Sequence, residues 1–239
     1  MQRTWKNVTI IGTSHIAAES VKQIRKVVAE QKPDCICVEL DRDRYAALLR
    51  DEKPKFSFAL IRRVGFTGYL FALIGRGIQK RLGDIVGMQA GSDMKTAIEL
   101  AQETKTRLYF IDQHIEETLK DLSKKFTFRE KVHLFKDALF PPNEAKAIIG
   151  GKTNLRTVPA DTLVRQIILL VQKRYPGLYE ALIGKRNRHM ARKLFLLQNE
   201  PAGKRILAVM GAGHLEGVLA ELEHLERTID IIHPPRSMH

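Results

Sequence analysis

The sequence is poor in the features that would assign it quickly. It has two cysteines in 239 residues, Cys35 and Cys37, both in the stretch DCICVEL. Two residues apart on a strand, their side chains point the same way yet stand too far apart to bridge, and a CxC pair alone makes a poor metal site. Both read as small core residues of a reducing compartment. Aromatic residues make up 7% of the chain, with a single tryptophan. That leaves no stacking set for nucleic acid and no recognisable nucleic-acid motif, so such a partner is not expected despite the basic charge. No window approaches the roughly eighteen uninterrupted apolar residues of a membrane-spanning helix. The nearest, VGFTGYLFALI over Val64–Ile74, is short and flanked by Arg62, Arg63 and Arg76. The opening MQRTWKNVTIIG leads into a strand pattern rather than a signal segment. A cytoplasmic protein is expected. Internal repeats and low-complexity tracts are also missing.

Acidic residues are in short supply as well: 27 Asp+Glu against 40 Lys+Arg, a net charge of +13. The imbalance is local. Residues 119–205 hold 19 of the basic residues and 7 of the acidic ones, an excess of 12, and the rest of the chain is close to neutral. Such asymmetry points to an anionic partner or surface.

What is abundant is short aliphatic runs bounded by turn signals. Val8–Ile11, Cys35–Leu40, Leu108–Ile111, Ile206–Met210 and Thr228–Ile232 read as five buried strands. Helical spacing separates them: Val21, Ile24, Val27 and Val28 after the first; Met94, Ala97, Ile98 and Ala101 before the third; Leu215, Val218, Leu219, Leu222 and Leu225 after the fourth. Strands alternating with helices predict an α/β fold, a mostly parallel central sheet of about five strands with flanking helices, in a single domain over 1–239. Residues 113–205 read as a basic helical insertion between the third and fourth of these strands. It includes helices over Thr162–Arg174 and Lys185–Leu197, with breaks at Pro141-Pro142 and Gly150-Gly151.

Parallel sheets bind ligands at the carboxyl ends of their strands, so the residues found there carry the functional argument. The first strand ends in Gly12-Thr13-Ser14-His15. The second ends in Glu39, followed by Asp41, Arg42 and Arg44. The third ends in Asp112, Gln113 and His114, and the fourth in Gly211-Ala212-Gly213-His214. Each GxxH pattern predicts a tight turn out of the strand, with histidine at the start of the following helix. There the helix dipole disfavours imidazolium and favours the neutral, metal-binding form. His15, His214 and Glu39 would then make a three-ligand site with open positions for water, as hydrolytic metal sites require. Asp41, Arg42 and Asp43 read as surface charges around a helix start, Arg44 fits a solvated face equally well, and Asp112 fits the cap of the next helix. GAGHLEG approaches a dinucleotide fingerprint, but its spacing is GxGxxxG and too little chain follows it.

Taken in order, Gly12–His15, Val38-Glu39-Leu40 with Arg44, LGDIVGMQAGSDMKTAIELA, IDQHIEETL, RNRHMA and VMGAGHLEGV resemble the TraB/PrgY family, the pheromone-shutdown proteins and their archaeal and eukaryotic homologues. The family is similar, at a distance, to the Tiki metalloproteases and to erythromycin-esterase-like proteins. The resemblance implies metal-dependent peptide cleavage, with His15, Glu39 and His214 as ligands or base and a divalent ion (Mn, Co or Zn) as cofactor. It further implies Arg44 as an electrophilic or orienting group, and Arg186 and Asn187 lining the same pocket. Gly12, Ser14, Asp93, Asp112, Gly211 and Gly213 fall on the ligand-facing side of that pattern. The chain departs from the family at Gln113, where arginine is common, at Asp93 in place of a longer glutamate, and at Lys185 in place of an acid.

Two functions are therefore expected to compete. One is a metal-dependent hydrolase, a peptidase, with Arg44 or Arg186 stabilising the oxyanion. The other is a non-enzymatic module that sequesters a peptide or other anionic ligand. It would use the basic insertion and the apolar FSFALIRRVGFTGYLFALIGRGIQKRLG stretch, the latter as a groove or against a membrane surface. Oligomerisation fits either.

Overall fold

A computed structural model describes residues 1–13, 18–50, 92–145, 160–200 and 203–232. Ser14, His15, the Gly150-Gly151 break and the apolar stretch beginning at Phe56 lie outside them. The described chain forms one five-stranded sheet: β1 (Gln2–Trp5), β2 (Val8–Thr13), β3 (Cys35–Val38), β4 (Arg107–Phe110) and β5 (Ile206–Gly211). The spatial order is β1-β2-β5-β3-β4, parallel throughout except for β1, which pairs antiparallel to β2.

The sequence reading is right about four of the strands and misplaces the fifth. Thr228–Ile232, expected as a strand, is the end of a helix, Ala212–Ile232. Its β-branched residues simply continue the 3.6-residue period set by Leu215, Val218 and Leu222. With no breaker after Gly217, extending an existing helix is cheaper than nucleating a strand. The true fifth strand, β1, is an edge strand exposed except at Trp5. It turns back through Lys6 and Asn7, with Lys6 in the left-handed region at φ 50°. Lacking an apolar run, it left no strand signal.

Alternation along the strands sorts the core onto two faces. Ile11, Ile36, Val38, Leu207 and Val209 point to one face. There they meet α1 (Ala18–Gln31) and α3 (Ser92–Glu103), which is separated from α1 in sequence by β3 and the short α2 (Arg42–Leu49). Ile10, Cys35, Cys37, Ala208 and Met210 point to the other. This face is covered by two helices, Lys185–Gln198 and the C-terminal Ala212–Ile232. Both cysteines are free and buried, as core residues should be.

The described part of residues 113–205 is helical, as expected. It comprises α4 (Ile115–Lys125), α5 (Phe128–Leu139), α6 (Ala160–Arg174), α7 (Pro176–Tyr179), a π-helical turn over Glu180–Gly184, and α8 (Lys185–Gln198); the C-terminal helix is α9. A small separate core of Leu122, Phe126, Tyr175, Leu178 and Ala181 holds α4, α7 and the π-turn together. The π-turn runs directly into α8, the helix that carries Arg186 and Asn187.

Candidate active site

The register brings the four parallel strands to a common carboxyl edge. Thr13 lies opposite Gly211, and Val38 lies opposite both Val209 and Phe110. The ladder runs slightly past the strand ends: Glu39 N–H donates to Val209 O (3.1 Å) and Asp112 N–H to Leu40 O (3.3 Å). Glu39, Asp112 and Gly211 therefore stand side by side, and all the polar groups that follow are held from rigid elements.

Arg186 is the hub. From α8 its Nε donates to Asp112 Oδ1 (3.0 Å) and its Nη2 to Asp112 Oδ2 (2.8 Å). Nη2 also pairs with Glu39 Oε1, and Nη1 donates to Leu182 O (3.2 Å) within the π-turn. Burial by itself would lower the Arg186 pKa. The adjacent Glu39 and Asp112 carboxylates outweigh it and hold the guanidinium above its ordinary range. Arg44 closes the outer side, donating from Nη2 to Asp112 Oδ2 (2.7 Å) and to the Glu39 carbonyl (2.8 Å). The side chains of Asp112 and Glu39 are 1% and 8% exposed, so two nearly dry carboxylates are held between the mostly buried Arg186 and the partly exposed Arg44.

Beside it sits His214, the third residue of α9, 7% exposed. Its Nδ1 lies 2.6 Å from Asn187 Oδ1, an atom that only accepts, so Nδ1 carries the hydrogen and donates. The other nitrogen, Nε2, stands 3.3 Å from Glu39 Oε1. In neutral imidazole that nitrogen presents a lone pair toward a carboxylate oxygen, an arrangement that calls for a proton or a cation between them. Two ligands of one tetrahedral ion, at about 2.0–2.2 Å each, stand a comparable distance apart. The Nδ1–H to Asn187 bond is also the outer contact that fixes the tautomer of metal-binding histidines. Glu39 Oε2 is held by the Gly211 N–H at 2.6 Å. Glu39 and His214 therefore suit a cation; His15 lies outside the described residues.

Several residues do other work than the sequence suggested. Asp112 does not cap α4; His114 does, its Nδ1 accepting from Glu116 N–H at 3.3 Å. Asp41 is not a surface charge. It is 5% exposed and caps α2, its Oδ1 accepting from the N–H groups of Asp43 and Arg44. The strand-end glycines Gly12, Gly211 and Gly213 do not need positive φ; Gly203 is the glycine among the described residues that has it. Gly12 is required for close approach instead, since a Cβ there would press on Ala212 Cα (3.2 Å) and Leu215 Cδ2 (3.1 Å) at the start of α9. Lys185 pairs with Asp121 of α4 at 2.6 Å. Asp93, at the start of α3, is fully buried and accepts from Thr13 Oγ1. The Thr13 contribution is invisible in sequence, because its partner lies eighty residues away. Among the described residues, the grouping of three metal-type side chains is Asp41, Asp43 and His114. It is accounted for by the α2 cap and by a His114–Asp43 ion pair of 2.6 Å.

An open groove of about 740 Å³ runs along the outer side of β4, lined by Leu108, Tyr109, Phe110, Lys193, Leu196 and Leu197. It reaches the charge network at Asp112. Among the described residues no strand pairs with that edge of β4. Lys193 reaches from α8 to the Phe110 carbonyl (3.0 Å), and burial lowers its pKa.

The model of the TraB/PrgY/gumN family matches residues 2–230. The chain belongs to that family. Uncharacterized protein MJ1365 of Methanocaldococcus jannaschii is 32% identical over 226 residues, 94% of this chain and 55% of that protein. TraB domain-containing proteins of Mus musculus and Homo sapiens are each 22% identical over 235 residues, 88% of this chain and 61% of theirs. The chain thus spans little more than half the length of these curated relatives. No helix among the described residues of this family member is long and apolar enough to cross a membrane.

Proposed function

We propose that the protein is a metal-dependent hydrolase acting on peptide bonds, with its centre at Glu39, His214 and His15. The observation that carries this reading is the opposition of His214 Nε2 and Glu39 Oε1 at 3.3 Å, with Nδ1–H committed to Asn187. Those three side chains would hold a divalent ion of the Mn, Co or Zn class, which when bound supplies Lewis acidity and lowers the pKa of a coordinated water. The chain's own residues do the positioning. Asn187 orients the imidazole, and the Gly211 N–H and Arg186 fix the two oxygens of Glu39. Asp112 holds both Arg186 and Arg44, and either guanidinium would face charge developing at the centre. The β4 groove offers an extended substrate a strand edge that no described strand pairs with, together with apolar pockets, and Arg42 and Lys193 at its rim favour acidic side chains. Two unbridged cysteines fit a reducing, cytoplasmic location.

The test is thermal unfolding of metal-stripped protein during titration with Mn²⁺, Co²⁺ and Zn²⁺, beside His214→Ala and Glu39→Gln. A native-state site adds about 2.7 kcal/mol at a hundredfold excess over the dissociation constant. Stabilisation in the wild type and its loss in both variants supports the hydrolase and justifies a peptide-library search. No stabilisation in any of the three sinks it. The same groove would then support the second reading, a module that captures acidic peptides without cleaving them.

A further inference from the structure

The most exposed apolar surface among the described residues is far in sequence from the strand-end centre, on α5. Phe128, Phe135 and Leu139 are 80%, 67% and 59% exposed, and Phe140, which caps the helix, is 79% exposed. At 3.6 residues per turn, positions 128, 132, 135 and 139 fall within about 60° of arc, so the half-buried Val132 completes a single stripe. The opposite side of α5 is the packed one, where Leu134 joins the small insertion core.

Charge on this helix is sorted by face. Both of its acids turn inward and are consumed there. Glu130 closes the capping box with Thr127 and accepts from the Gly177 N–H at 2.7 Å. Asp137 accepts from Arg174 Nε at 2.7 Å and from the Tyr175 hydroxyl. Lys131 falls on one flank of the apolar stripe, and Lys136 and Arg129 on the other, each about 60–100° from its centre. An apolar stripe with aromatic residues, bordered on both sides by Lys and Arg, is the arrangement of a helix lying in a lipid interface. The surrounding insertion, with its excess of 12 positive charges, adds long-range attraction to the same kind of surface.

We infer that α5 is an interfacial helix that docks this protein on an anionic lipid surface, burying Phe128, Phe135, Leu139 and Phe140 among the acyl chains while Arg129, Lys131 and Lys136 meet the headgroups. A second copy of the chain fits the same face poorly. The stripe is about 18 Å long and 10 Å wide, a fraction of the roughly 800 Å² per partner that a stable interface buries. Pairing two copies would also bring like charges together.

Co-sedimentation of the full chain with vesicles of phosphatidylcholine, alone or with about 30% phosphatidylserine, tests the assignment. Wild type should pellet with the anionic vesicles and be released as salt is raised. The triple variant Phe128→Ser/Phe135→Ser/Leu139→Ser and the charge reversal Lys131→Glu/Lys136→Glu should each bind on the order of tenfold more weakly. Their circular dichroism should be unchanged, because the substituted side chains are outside the core. A Phe135→Trp variant reads insertion directly, its emission shifting to the blue only with anionic vesicles. The inference is overturned if wild type ignores anionic vesicles, or if both variants bind as wild type does. It is overturned equally if the triple variant changes only the oligomeric state, which would give the stripe to a second copy. None of these readouts involves metal or turnover, so they stand apart from the fate of the hydrolase proposal.

Discussion

The carboxyl edge of the sheet and the outer face of α5 use the same kinds of side chain to opposite ends. At the edge, Arg186, Arg44, Glu39 and Asp112 lie at or beneath the surface, and each charge is matched by two or more partners of fixed geometry. On α5 the acids are taken by the protein, and the bases flank a stripe of exposed phenyl rings. Burial makes the first arrangement rigid and intolerant, because removing one partner strands another charge where water cannot replace it. Exposure makes the second tolerant of substitution, and its free energy is realised only against another surface. Position relative to the sheet, rather than composition, decides which role a basic residue takes.

The sharpest way to break this contrast is Arg186→Ala. Glu39 and Asp112 would both lose a buried countercharge, and a loss of about 3–5 kcal/mol in urea unfolding is expected. A loss under 1 kcal/mol would mean that water enters the edge freely and that the network is no drier than α5.

A smaller effect on stability, with a larger one on function, is expected from Gly217→Ala. A Cβ there would collide with the Asn187 amide, lying 2.9 Å from its Cγ, so Asn187 must swing away and release His214 Nδ1. The collision is with the end of a side chain, so the fold should lose only about 1 kcal/mol, the worth of one buried hydrogen bond. Metal affinity should drop about 10–100-fold, as it does when the outer partner of a ligating histidine is lost. Gly213→Ala is the control: its Cβ would meet the movable Ile168 Cδ1 at 3.1 Å and touch Val164 Cγ1 at 3.9 Å. Equal effects of the two substitutions would remove Asn187 from the site.

These two substitutions mark how far the sequence could be read. Glu39, Asp112 and His214 were legible because each ends an aliphatic run, and a core strand has no reason to finish on a carboxylate or imidazole. Arg186 and Asn187 lie on a helix whose charges look solvated, and only the family resemblance singled them out. Gly217 and Thr13 left no signal. A close approach between α8 and α9, and a hydroxyl bonded to Asp93 across eighty residues, exist only once the helices are packed. Asp41 was misread because a helix cap and a surface charge look alike in sequence. Thr228–Ile232 was misread because four β-branched residues around Asp230 fit a strand or the last turns of a long helix equally well.

The smallest expected effect lies between the two regions, at the rim of the β4 groove. His114 Nε2–H donates to Asp43 Oδ2 at 2.6 Å, and its pKa is raised, first by that bond and further by the nearby Asp41, Asp43 and Glu116 charges, against the opposing effect of burial. The imidazolium is therefore favoured in the folded chain, at the cost of the Glu116 N–H bond, which only an unprotonated Nδ1 accepts. Its stabilisation is fully present below the unfolded histidine value of about 6.5 and is lost as pH rises through the raised folded value. The two side chains are 40% and 74% exposed, so solvent holds the pair to about 0.2–1 kcal/mol. A double-mutant cycle of Asp43→Asn and His114→Gln isolates that coupling from the contribution Asp43 makes to the first turn of α2. Coupling at about pH 5.5 that weakens toward about pH 8.5, where only the neutral Nε2–H bond to Asp43 remains, is the expected outcome. Coupling unchanged at the higher pH would mean that the neutral Nε2–H bond, and not the imidazolium charge, carries the interaction, and the rim of the groove would then resemble the dry edge rather than the wet helix.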